Sequence, residues 1–79
     1  MVASLDITDT NTRFRVSKNP DGTILLDCQG EIACIETFPD GQALARFCQE
    51  NKVDLNTFFT QLATWDKSVA AQFAKGIYR

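Results

Sequence analysis

The spacing of apolar residues changes once along this chain, and that change limits the fold to a sheet followed by helices. Up to Phe38, apolar side chains largely alternate with polar ones; after Asp40 they recur three and four residues apart. A period of two belongs to a strand with one buried face, and a period near 3.6 to a helix with one buried stripe. Between the two regimes stands Pro39-Asp40-Gly41. It ends a strand and supplies an aspartate able to cap the helix that follows.

Three strands are expected in the first regime. In residues 12–18, Phe14 and Val16 alternate with Arg13, Arg15 and Ser17. Asn19-Pro20-Asp21-Gly22 then reads as a tight turn: proline presets the first central position, and glycine accepts a positive φ. A second strand covers residues 23–28. After a weaker turn signal at Gln29-Gly30, a third covers about 31–38, and together they make an antiparallel meander. Residues 1–10 read as a loose arm or a short edge strand, because Leu5 and Ile7 alternate with polar neighbours.

The second regime predicts helices. Residues 42–51 place Leu44, Phe47 and Cys48 on one face, and Asp54 is an N-cap for the next helix, with Val53 and Phe58 spaced for a hydrophobic staple. Leu55, Phe58, Phe59, Leu62, Trp65, Val69, Phe73 and Ile77 keep helical spacing to the end. One helix of about 20 residues would be on the order of 30 Å long and would overhang so small a sheet. A break at residues 64–66, with Thr64 or Asp66 as cap, is preferred. Residues 1–79 therefore read as one α+β domain: an arm or edge strand (1–10), an N-terminal three-stranded antiparallel β-meander (12–38), and two or three C-terminal α-helices packed on one face (40–78).

A core from 79 residues supplies only about 3–5 kcal/mol of net stability, and domains of this size usually add a metal, a disulfide or a partner. The chain has no histidine, and Cys28, Cys34 and Cys48 lack zinc-site spacing. No metal or cofactor is expected. The odd cysteine count and the absence of a signal-peptide pattern at the start point to a reducing, cytoplasmic compartment. A two-residue turn at Gln29-Gly30 would pair Cys28 with Glu31, Asp27 with Ile32 and Leu25 with Cys34. The thiols would then not face each other, so the cysteines read as small hydrophobes packed in the core.

Enzyme chemistry finds no foothold. A nucleophilic cysteine has no histidine to activate it. Glu31 and Glu36 fall on opposite faces of their strand, no phosphate-cradling glycine loop occurs, and Ser4, Ser17 and Ser68 lack a nucleophile context. No apolar run approaches the roughly 20 residues of a membrane span. Eight basic residues against ten acidic ones leave a net charge of −2, which gives no electrostatic reason to expect nucleic acid or an anionic membrane as partner.

Residues 44–62 outline two short helices and a turn. The phrase Phe47-Cys48-Gln49-Glu50-Asn51-Lys52-Val53, followed by Thr57-Phe58, resembles the helix-turn-helix of transposase-type DNA binders. That resemblance implies a regulatory nucleic-acid binder reading base edges with Asn56, Thr57, Thr60 and Gln61. Against it, residues 55–64 contain no Lys or Arg, and Arg46, Lys52, Lys67, Lys75 and Arg79 are scattered.

The leading expectation is a non-catalytic interaction module, as a homodimer or with another protein. Ile24, Leu26 and Cys28 fall on one strand face and Leu25 on the other; Ile32 and Cys34 oppose Ala33 and Ile35. Helices can shelter one face only. Leu25, Ala33 and Ile35 are left for a partner unless residues 1–10 fold back as a lid. Phe58 and Phe59 lie about 100° apart on a helix, so Phe59, with Trp65, is a second candidate anchor. Phe58, Phe73 and Tyr78 read as core.

Overall fold

A computed structural model describes residues 4–9, 11–31 and 33–77. Ile32 and Tyr78, both assigned above from spacing, lie outside the described residues, as do the first three residues, Thr10 and Arg79. The elements run β1 (Ser4–Asp9), β2 (Thr12–Lys18), β3 (Ile24–Gly30), β4 (Cys34–Phe38), α1 (Gly41–Glu50), α2 (Leu55–Trp65) and α3 (Lys67–Ile77). The strands form one antiparallel sheet in sequence order, β1-β2-β3-β4. The sheet thus has four strands where three were expected. Of the two expectations for residues 1–10, the edge strand holds over the described part. β1 pairs with β2 from Ser4↔Ser17 to Asp9↔Thr12, because Leu5 and Ile7 extend the apolar face begun by Val16 and Phe14.

The connection between the last two strands differs from the sequence reading. β3 continues to Gly30 and β4 starts only at Cys34. The expected register is therefore wrong: Cys28 pairs with Cys34, Asp27 with Ile35 and Leu25 with Thr37. The turn at Asn19–Gly22 forms as read, with Gly22 at φ 90 and its N–H donating to Asn19 O at 3.0 Å.

All three helices pack on one sheet face. Aspartates set their starts. Asp40 accepts the Ala43 N–H at 3.0 Å, and Asp54 accepts those of Asn56 and Thr57 at 3.0 and 3.2 Å. Asp66 makes the break between α2 and α3. Its N–H donates to Leu62 O, ending α2, while its side chain accepts the Ser68 and Val69 N–H groups at 2.9 and 3.2 Å, starting α3. Lys18 Nζ donates to the same carboxylate at 3.1 Å, tying the end of β2 to this corner.

α3 lies between the other two helices, closest to α1, while α2 leans on β1 and α1 on β4. The α1–α3 approach needs two glycines. A Cβ on Gly76 would sit 2.8 Å from Ala45 Cβ and from Gln42 O, and one on Gly41 would sit 2.6 Å from Val69 O. The core between the layers is aromatic at its centre. Phe14 meets Phe58 edge-on at 5.1 Å, and Phe58 stacks on Phe73 at 5.9 Å. Phe38 and Phe47, 5.5 Å apart, join β4 to α1.

Candidate functional site

The sheet face turned away from the helices carries three cross-strand rows. They are Ser4–Ser17–Leu25–Thr37, Asp6–Arg15–Asp27–Ile35 and Thr8–Arg13–Gln29. No described element covers them, because β1, Ser4–Asp9, lengthens the sheet beside β2 and does not fold back as a lid. Arg15 Nε donates to Asp6 Oδ1 at 3.1 Å, both side chains being more than half exposed. Such an ion pair, screened by water, adds little stability. Arg13, Arg15, Asp27 and Gln29 line a shallow depression there.

The apolar part of this face is narrow. Leu25 is half-buried among its neighbours, Ala33 is exposed just before β4, and Ile35 is 72% exposed. Ile35 is the one large hydrophobic so exposed among the described residues. Leu25 and Ile35 occupy adjacent rows on β3 and β4, within reach as a diagonal pair. The rest of the face is charged or polar.

The other two anchors suggested by the sequence lie elsewhere. Phe59 is half-buried and lines a groove of about 330 Å³ between α2 and α3 with Ala63, Lys67, Ala70, Ala71 and Ala74. No strand residue lines it, so it opens on the helical side. Trp65, at the end of α2, is half-buried against the core cluster. The five candidates therefore fall on two sides of the domain, and one contact cannot use them all.

On the helix-turn-helix outline, α1 and α2 touch only lightly. Asn56, Thr60 and Gln61 are exposed on α2 and Thr57 is half-buried. The Thr60 hydroxyl is spent on Asn56 O at 2.8 Å.

Sequence reasoning missed one juxtaposition. Cys34 and Cys28 are direct partners across β3 and β4, and the Cys34 thiol donates to Cys28 Sγ at 3.4 Å. Burial pushes the Cys28 thiol up to about 12, with the neighbouring Cys34 adding to the rise. Burial also raises the Cys48 thiol on α1, with smaller contributions from Cys28 and Asp9. No group of three ligating side chains able to hold a metal ion occurs among the described residues. No described helix is long and apolar enough to cross a membrane.

No protein-family model, curated protein or solved structure matches this chain.

Proposed function

We propose that the chain is a non-catalytic interaction module that self-associates, a second copy docking on the open sheet face around Ile35. The observation that carries this reading is the 72% exposure of Ile35 on a face that no described helix shelters. The charges beside it favour a second copy over an unrelated partner. The row Asp6–Arg15–Asp27 alternates in sign. Under a two-fold axis the Arg15 of one copy meets an aspartate of the other, and like charges need not face each other. A purely positive partner would leave Arg15 opposed, and a purely negative one both aspartates.

A domain of this size gains from such burial, since its own core leaves little margin. Three free cysteines suit a reducing, cytoplasmic setting. The runner-up, a helix-turn-helix nucleic-acid binder, has no positive charge on α2 to neutralise phosphate.

Light scattering across a concentration series into the hundreds of micromolar tests the reading. A mass that rises towards the dimer supports it. A mass that stays at the monomer value, or a dimer indifferent to the residue at position 35, removes it. Binding to random duplex DNA at low salt would favour the runner-up.

A further inference from the structure

Cys28 and Cys34 offer chemistry that the docking face does not use. They face each other across an antiparallel pair, where opposite Cα atoms stand about 4.5–5.5 Å apart. A disulfide spans Cα separations of about 4.4–6.8 Å, so a bond between them needs little backbone movement. Both are free thiols, already in contact at 3.4 Å. Their accessibility differs. Cys28 is 3% exposed under the helical layer, whereas Cys34 is half-buried on β4, the edge strand of the described sheet.

We propose that Cys28 and Cys34 form a reversible intramolecular disulfide, with a low-molecular-weight disulfide of the glutathione type as oxidant. Cys34, the reachable sulfur, attacks as thiolate. An S–S bond forms between Cys34 and one half of the oxidant, and the other half leaves as a thiolate that takes up a proton. Cys28 then gives its proton to solvent and attacks the Cys34 sulfur, expelling the second small thiol. Two protein thiols are oxidised to one disulfide and one small disulfide is reduced to two thiols, so atoms and electrons balance. Excess small thiol runs the steps backwards. Cys48 takes no part, being fully buried on α1.

The cross-link closes residues 29–33 into a loop and fastens the edge strand to the sheet. Cys34 points to the helical side and its neighbour Ile35 to the open face. The redox site therefore stands or falls independently of the docking surface.

The experiment incubates the folded chain with oxidised glutathione, blocks remaining thiols, digests without reductant and maps the peptides by mass spectrometry. Three free thiols should fall to one, on Cys48, with a single Cys28–Cys34 cross-link that dithiothreitol reverses. In Cys28→Ala, glutathione should remain attached to Cys34, because the resolving thiol is gone. Should that variant not fold, the wild-type map decides alone. A wild-type protein that keeps all three thiols, holds glutathione stably on Cys34, or links either residue to Cys48 overturns the proposal.

Discussion

Replacing Ile35 by lysine separates the docking face from the fold. In the monomer the change should be benign. Ile35 is 72% exposed on an edge strand opposite Asp27, so a lysine there loses little burial and gains an oppositely charged cross-strand neighbour worth at most about 1 kcal/mol. In the dimer the cost is large. Fully burying an isoleucine is worth about 1.5–3 kcal/mol, and with 72% of the residue available to a partner, about 1–2 kcal/mol is at stake per copy. A two-fold axis counts it twice, giving about 2–4 kcal/mol, or a dissociation constant weakened on the order of 30- to 1,000-fold. Sedimentation equilibrium on Ile35→Lys measures that ratio, and a urea melt at low concentration checks the monomer. A dissociation constant unchanged within threefold would refute the assignment of this face. A monomer destabilised by more than about 1 kcal/mol would refute the claim that Ile35 contributes little to the fold.

Other substitutions probe the frame that presents this face. Gly76→Ala sets two opposing effects against each other: helix propensity favours alanine by about 1 kcal/mol, while a Cβ 2.8 Å from Ala45 and Gln42 costs about 1–3 kcal/mol of overpacking. Chemical denaturation should show a net loss, and a gain would mean that α1 and α3 separate freely. Asp66→Ala should cost about 1 kcal/mol, the usual worth of an N-cap, with little more from the partly exposed Lys18 bridge. Burial raises the Asp66 carboxyl, but the Lys18 hydrogen bond and the Val69 and Ser68 N–H groups outweigh it and hold the carboxyl below the ordinary 3.8. Its contribution is thus complete above that value and fades as pH falls through the folded one, so wild type and Asp66→Ala should converge in stability in strong acid. Closure of the Cys28–Cys34 disulfide from the Cys34 mixed disulfide should speed up about tenfold per pH unit around neutrality, because burial holds the Cys28 thiol above its ordinary value and only its thiolate attacks. Asp27, beside it on β3, and Glu36 on β4 oppose its ionisation in the same direction. A rate independent of pH between 7 and 9 would mean that opening, and not thiol ionisation, limits the step.

The starts of α1 and α2 were legible to within a residue, and that of α3 as one of two caps, because their punctuation is chemical. Asp40, Asp54 and Asp66 are acceptors placed one residue ahead of each helix, and such acceptors have a sequence signature. The faces of the strands were legible for the same kind of reason, since alternation assigns Leu25 and Ile35 away from Ile24 and Cys34 whatever the pairing. β1 was legible only as one of two outcomes, because two apolar residues, Leu5 and Ile7, do not distinguish an edge strand from an arm. Register was not legible at all. Gln29-Gly30 looks like a two-residue turn, yet the chain stays in β3 through Gly30 and returns only at Cys34. No side chain in the connection states its length.

That register has one physical cause and two consequences. The tight-turn register pairs Leu25 with Cys34 and so sets Ile35 beside Ile24, leaving Phe38 beyond the end of the ladder. The observed register slides the partner of Cys28 by three residues, from Glu31 to Cys34, and sets Phe38 beside Ile24. Phe38 is then 9% exposed and packs on Phe47 of α1, and a phenylalanine buries more apolar area than an isoleucine. The tight turn also conflicts with its own alternation, which sends Ile35 to the face opposite Ile24. Once Phe38 is seated, Ile35 must stand on the open face opposite Asp27, and Cys34 must stand opposite Cys28. The exposed hydrophobic and the thiol pair are therefore two results of burying one aromatic ring. A one-residue slip of β4 along β3 would lose both, whereas a two-residue slip would part the thiols and leave Ile35 on the open face.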